Sequence, residues 1–169
     1  MAVLPLKYVG DNVLRRKADK VDRVDKTLAR LLDDMVDTMY AANGVGLAAP
    51  QIGVSKRLFV ADAGDGPIRL VNPRLVSHTG RALGTEGCLS IPGIYGEVER
   101  HEIVIVKGLD ENGEPVTYEA SGLLAVVFQH EMDHLDGQLF TDLAMDLVDA
   151  EALERDADED DDEDEGDDE

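Results

Sequence analysis

Within QHEMDHLDG, residues 129–137, two histidines stand four apart and a glutamate follows the first of them. On a helix that spacing puts His130 and His134 one turn apart on the same face, so both imidazoles can reach one cation. Glu131 lies about 100° further round the axis, and its longer side chain can reach a water on such an ion without ligating it. This is the division of labour of an HExxH segment: two rings hold the metal and the carboxylate handles protons. Two ligands do not make a catalytic site, and no His or Cys follows His134.

A third ligand could lie downstream or upstream. Glu151 and Glu154 follow at distances a zinc peptidase helix would use, but they head an acidic run with no surrounding motif. Upstream, Cys88 sits in TEGCLSIPG, residues 85–93, between Gly87 and Leu89 and shortly before Pro92 and Gly93. That setting exposes backbone and holds it extended or turned. A thiolate with two imidazoles suits zinc or ferrous iron and leaves one position for water. A free cysteine is more often a small buried hydrophobe; an HExxH lacking its third ligand in the same chain reverses that preference. Because Cys88 is the single cysteine, no disulfide can form within the chain, and an oxidising compartment is not required.

The elements that must position these groups are partly legible. DKTLARLLDDMVDTMYAA, residues 25–42, places Leu28, Leu31, Leu32, Met35 and Met39 at helical spacing, with Asn43-Gly44 as a stop. The glycine-rich turn GVGLAAPQIG follows, then the short β-like runs RLFVAD and IRLVNP. From residue 98, VERHEIVIVKGLD, ENGE and PVTYEA read as a hairpin with Asn112-Gly113 at its tip. SGLLAVVFQHEMDHLDG reads as a mostly buried helix that begins at Ser121 or Gly122 and ends before Gly137. The order of elements predicts an α+β fold, with antiparallel β-sheets packed around a central buried helix carrying HExxH and an N-terminal amphipathic helix.

At 169 residues, 4% of them aromatic and none Trp, the chain suits one domain with an aliphatic core. We place that catalytic domain at residues 1–150 and an acidic tail at 151–169. The tail holds 14 of the 37 acidic residues and one of the 16 basic ones; its net charge of -13 leaves -8 for the rest of the total of -21. Like charges with nothing apolar to bury predict a solvated, disordered segment from about Asp156. The sign argues against direct nucleic-acid binding. No apolar run approaches the roughly 20 residues of a membrane span, and no secretory signal opens the chain, so the expected location is cytoplasmic.

GVGLAAPQ at 44–51, EGCLS at 86–90 and HEMDH at 130–134 resemble, in order and spacing, the three signature motifs of bacterial peptide deformylase; the similarity covers residues 2–147. The resemblance implies removal of the N-formyl group from nascent chains that begin with formylmethionine, with release of formate. It implies Cys88, His130 and His134 as metal ligands, Glu131 as general base and acid, and Gln51 with the backbone amide of Leu89 as oxyanion donors. It implies one divalent ion, ferrous iron by preference, with zinc or nickel able to take its place. The expected partners are N-formylmethionyl nascent peptides, with a ribosome contact near the exit tunnel, no nucleic acid, no membrane, and a monomeric state.

The chemistry of the residues agrees. A formamide is a poor electrophile and neutral water a poor nucleophile; a bound divalent ion corrects both faults. A placed amide donor is commonly worth ~3 kcal/mol to the developing oxyanion. Read alone, Gln51 after Pro50 is a surface turn residue; only the resemblance makes it a donor. Gly46 leaves room for substrate backbone. Val127, Val126 and Leu123 lie three, four and seven residues before His130, on or near its face, and could wall a pocket for an unbranched side chain while also serving as core. Ile94 and Tyr95 are candidates for its rim. Substrate backbone could add as a strand to a sheet edge. His78 and His101 read as ordinary surface residues. The rival readings are a peptidase using Glu151 or Glu154, and a metal or redox sensor in which Glu131 has no role.

Overall fold

The computed structural model describes residues 2–150. Glu151, Glu154 and the rest of the predicted tail lie outside the described residues. Helix α1 spans Lys26–Ala41 and begins where Asp25, itself extended, accepts a 2.9 Å hydrogen bond from the Leu28 amide. It stops before Asn43, whose φ of 55° lies in the left-handed region. Leu28, Leu32, Met35, Val36 and Met39 form its buried face.

Eight strands follow in chain order: β1 (Gly46–Ala48), β2 (Leu58–Ala61), β3 (Ile68–Thr79), β4 (Ala82–Cys88), β5 (Ile91–Arg100), β6 (Ile103–Leu109), β7 (Pro115–Ser121) and β8 (Met145–Asp149). Helix α2 (Gly122–Leu135) and the short α3 (Phe140–Leu143) lie between β7 and β8. All pairings between these strands are antiparallel, in a five-stranded sheet ordered β1-β2-β3-β6-β7 and a three-stranded sheet ordered β4-β5-β8.

The period of two along β2 decides the layering. Leu58 and Val60 join the α1 face, with Leu32, Met35 and Met39. Phe59 and Ala61 point the other way and pack with Ala125, Phe128 and Leu135 of α2. The Phe59 and Phe128 rings are 5.5 Å apart, and Tyr118 meets Phe128 edge-on at 5.8 Å. Each fully buried Leu or Phe here stabilises the fold by about 1.5–3 kcal/mol. A smaller cluster of Leu14, Ile91, Val98, Leu139 and Phe140 closes the other side of the hairpin β4–β5. Helix α2 therefore lies centrally, as the patterning predicts, with one side in the larger sheet's core and the other against β4 and β5.

Several local readings need correction. The run taken as one strand from residue 98 is two: β5 ends at Arg100 and β6 begins at Ile103 in the other sheet. Gln129 of α2 makes the break by accepting from the His101 amide and donating to its carbonyl, both at 2.9 Å. IRLVNP is only the start of a strand that runs to Thr79, and the glycine-rich turn contains β1. The β6–β7 hairpin is as expected, with Asn112-Gly113 in its loop 110–114, where Gly113 takes φ 76° and Asp110 accepts from the Asn112 and Glu114 amides. His101 is half-buried and stacks on exposed His78 with ring centroids 3.9 Å apart, so the two form a pair where isolated surface residues were expected. Strand β8, exposed along its whole length, was not foreseen. Among the described residues, no helix is long and apolar enough to cross a membrane.

Candidate metal centre and active site

The sulfur and the two imidazoles arrive from different elements. Strand β4 ends at Cys88, Leu89 and Ser90 make the turn, and a register irregularity between Glu86 and Cys88 re-aims the sulfur out of the ladder. Helix α2 begins after Ser121 and carries His130 and His134 on the side facing that turn. Cys88 Sγ lies 3.3 Å from His134 Nε2, and one ligand atom from each of Cys88, His130 and His134 lies within 4.8 Å of the others. Nitrogen and sulfur bind such ions at about 2.0–2.3 Å, so donor atoms this close together can share one ion. The chemistry of the donors fits a divalent transition metal.

The rings differ in charge. Burial lowers the pKa of His134 to about 3, helped by repulsion from His130, so its imidazole is neutral and offers a lone pair. Burial also opposes charge on His130, but hydrogen bonds to Cys88 and Glu86 and the field of Glu131 overcome it and push the ring up to about 10. A cation captured here must displace that proton. His130 Nδ1 lies 2.8 Å from Glu86 Oε1. Burial would raise the Glu86 carboxyl, yet Arg100 and His130 outweigh it and hold the group below its ordinary value. Arg100 donates to both Glu86 oxygens at 2.9 Å and also to Asp133.

Glu131 is 3% exposed, and its Oε2 has no hydrogen-bond partner. Burial is the main cause that pushes its carboxyl up to about 7, in the range of a useful general base. A Cβ built on Gly46 would stand 2.7 Å from Glu131 Oε1 and 2.8 Å from Val127 Cγ1, so only glycine lets β1 pass the carboxylate. Gln51 is 1% exposed, contrary to the plain reading of a residue after proline. Its Oε1 accepts from the Ala48 amide at 2.9 Å, which turns Nε2 toward Ser90 Oγ at 3.2 Å and Cys88 Sγ at 3.5 Å. The Leu89 side chain packs against the α1 cluster, so its backbone is fixed at the turn.

A groove of about 430 Å³ opens over these groups, lined by Gly46, Gln51, Cys88, Leu89, His130 and Glu131. Leu123, Val126 and Val127 also line it, as do Ile94 and Tyr95. Val127 is buried and belongs to the core as well, while Leu123 is 52% exposed and stands at the mouth. Nine of the ten predicted site residues therefore line this groove, and the tenth, His134, is not part of its lining but touches the sulfur. The sequence reading passed over Glu86, Ser90, Arg100 and Asp133. Glu86 sits inside a motif and alternates with Cys88 along a strand, which was a usable signal; Arg100 carried none, because its partners lie on other elements.

The polypeptide deformylase family profile matches residues 3–149. The peptide deformylase of Acetivibrio thermocellus is 52% identical over 155 residues, covering 92% of this chain and 91% of its own length. That of Caldicellulosiruptor bescii is 50% identical over 155 residues, with 92% and 93% covered. The crystal structure of peptide deformylase from Thermotoga maritima superposes with a TM-score of 0.84 at 42% identity, covering 86% of this chain and 99% of that one. The Synechococcus elongatus enzyme, solved in complex with actinonin, gives 0.82 at 50% identity, with 85% and 79% covered. The chain thus belongs to the polypeptide deformylase family, metal-dependent hydrolases that remove the N-formyl group from nascent polypeptides.

Proposed function

We propose that Cys88, His130 and His134 hold a single divalent ion, ferrous iron in the native enzyme, and that Glu131, Gln51 and the Leu89 amide carry the hydrolysis of formyl-Met peptides. The observation that carries this reading is the convergence of the lone sulfur with both imidazoles, within 4.8 Å. Zinc or nickel would occupy the same donors, since thiolate and imidazole accept all three. When bound, the ion lowers the pKa of water and polarises the formyl oxygen.

The remaining steps fall to the chain itself. The methionine side chain enters between Leu123, Val126 and Val127, and the missing side chain of Gly46 lets β1 lie close beside Glu131 at the groove. Glu131 takes a proton from the attacking water as the C–O bond forms. It returns that proton to the amide nitrogen as the C–N bond breaks, giving formate and a free amine. Burial that disfavours the charged form of Glu131 suits a carboxylate that must both take up and return a proton. The oxygen that gains charge receives N–H donors from Gln51 Nε2 and Leu89, and Ser90 and Ala48 hold the Gln51 amide in the orientation required.

The catalytic unit is residues 1–150, a cytoplasmic monomer that meets its substrates as they leave the ribosome near the exit tunnel. The test is to incubate anaerobically purified protein with a formyl-Met peptide, follow formate release, and analyse metal in the same sample. Formate release with about one equivalent of iron supports the reading. A Cys88→Ala protein that keeps both ion and activity would overturn it, because a peptidase-type site does not need the sulfur.

A further inference from the structure

Three charged side chains that take no part in the hydrolysis are packed against the candidate ligands. Arg100 is 7% exposed and Glu86 6%. Arg100 donates through Nε and Nη2 to the two Glu86 oxygens at 2.9 Å, and through Nη1 to Asp133. Glu86 stands two residues before Cys88, and the oxygen that meets Nη2 lies 2.8 Å from His130 Nδ1. Asp133 precedes His134 on α2. Arg100 is steadied in turn by Gln129, which holds both backbone groups of the next residue, His101. One guanidinium thus joins the hairpin that carries the sulfur to the helix that carries both imidazoles.

An ion pair this buried is a poor device for stability, since desolvating both charges offsets most of their attraction and an apolar trio of like volume would fold as well. What it supplies is geometry: the planar five-donor fork fixes two carboxylates at once, which a flexible point charge cannot do. With Glu86 accepting from Nδ1–H, the lone pair of His130 is confined to Nε2, on the side of the sulfur.

We propose that Arg100 is a positioning residue of the metal centre. Through Glu86 it sets the tautomer and tilt of His130, and through Asp133 the spacing between α2 and the Cys88 turn, so it governs how tightly the ion is held. The inference rests on the assignment of Cys88, His130 and His134 as ligands.

Cobalt(II) is the probe, with affinity measured by chelator competition on the otherwise intact protein and site geometry by visible absorption. Arg100→Met should weaken cobalt binding by about tenfold or more and alter the absorption bands. Arg100→Lys restores charge without the fork and should recover only part of the affinity. Asp133→Asn, with Glu86 still paired, should weaken binding a few-fold. Arg100→Met with cobalt affinity within twofold of the parent and an unchanged spectrum would overturn the proposal, even if the ion-free protein melts earlier. Should that variant not fold, parent-like affinity and spectrum in both Arg100→Lys and Asp133→Asn overturn it equally. Cobalt retained by Cys88→Ala would instead remove the ligand assignment beneath it, a separate result.

Discussion

The two sides of helix α2 make a sharp contrast. Toward β2, β3 and β6 it presents Ala125, Phe128 and Leu135, all 0% exposed, to a purely apolar core. Toward β4, β5 and the groove beside β1 it presents His130, Glu131, Asp133 and His134, with Asp133 partly exposed, and two of their polar atoms, Glu131 Oε2 and His134 Nδ1, have no partner. The first side holds the fold together. The second is maintained against its own desolvation, which is how functional groups acquire shifted protonation states. Fourteen residues of helix carry both, because the apolar side stabilises what the polar side destabilises.

This contrast can be broken from either side. Glu131→Gln should cut kcat/KM by about 10³-fold or more while leaving the circular dichroism unchanged, since it removes the proton carrier but little volume. Phe128→Ala should do the reverse: a loss of about 3–5 kcal/mol in denaturant unfolding, with the metal content of the surviving folded fraction near that of the parent.

A third outcome concerns pH. In ion-free protein the Glu131 carboxyl sits at about 7 when folded, against an ordinary 4.5. A folded-state value raised this way means the neutral form is favoured, so stability is full below 4.5 and declines as pH rises through 7. Glu131→Gln removes that decline, so its stability advantage over the parent, up to about 3 kcal/mol, should appear at pH 8 and vanish near pH 4. An advantage independent of pH would show that Glu131 is not a buried titrating group. The smallest effect is expected at the groove mouth: Leu123→Ala should raise KM a few-fold for formyl-Met peptides with kcat nearly unchanged, because a half-exposed side chain contributes little apolar contact.

Much of this was readable from the chain. The two long helices announced themselves through local patterning and their end signals, and the placing of His130 and His134 on one face of α2 followed from helix geometry. The features that escaped depend on partners distant in sequence. Arg100 looks like a strand-end surface residue until Glu86 and Asp133 enclose it. The break at His101 exists because Gln129 reaches across from α2. Gln51 is buried only because β1 and the Cys88 turn close over it. Strand β8 shows no alternation of burial to betray it, since all five of its residues are exposed.

The separation of 46 residues between Cys88 and His134 bears on how this protein matures. During its own synthesis the sulfur, at residue 88, emerges before either ring, at residues 130 and 134. Closing a loop of that length is entropically slow compared with forming the β6–β7 hairpin inside it. On the proposed ligand set, ion capture waits until residue 134 has been made and the 46-residue loop has closed, and a copy that stalls before that point lacks a complete site.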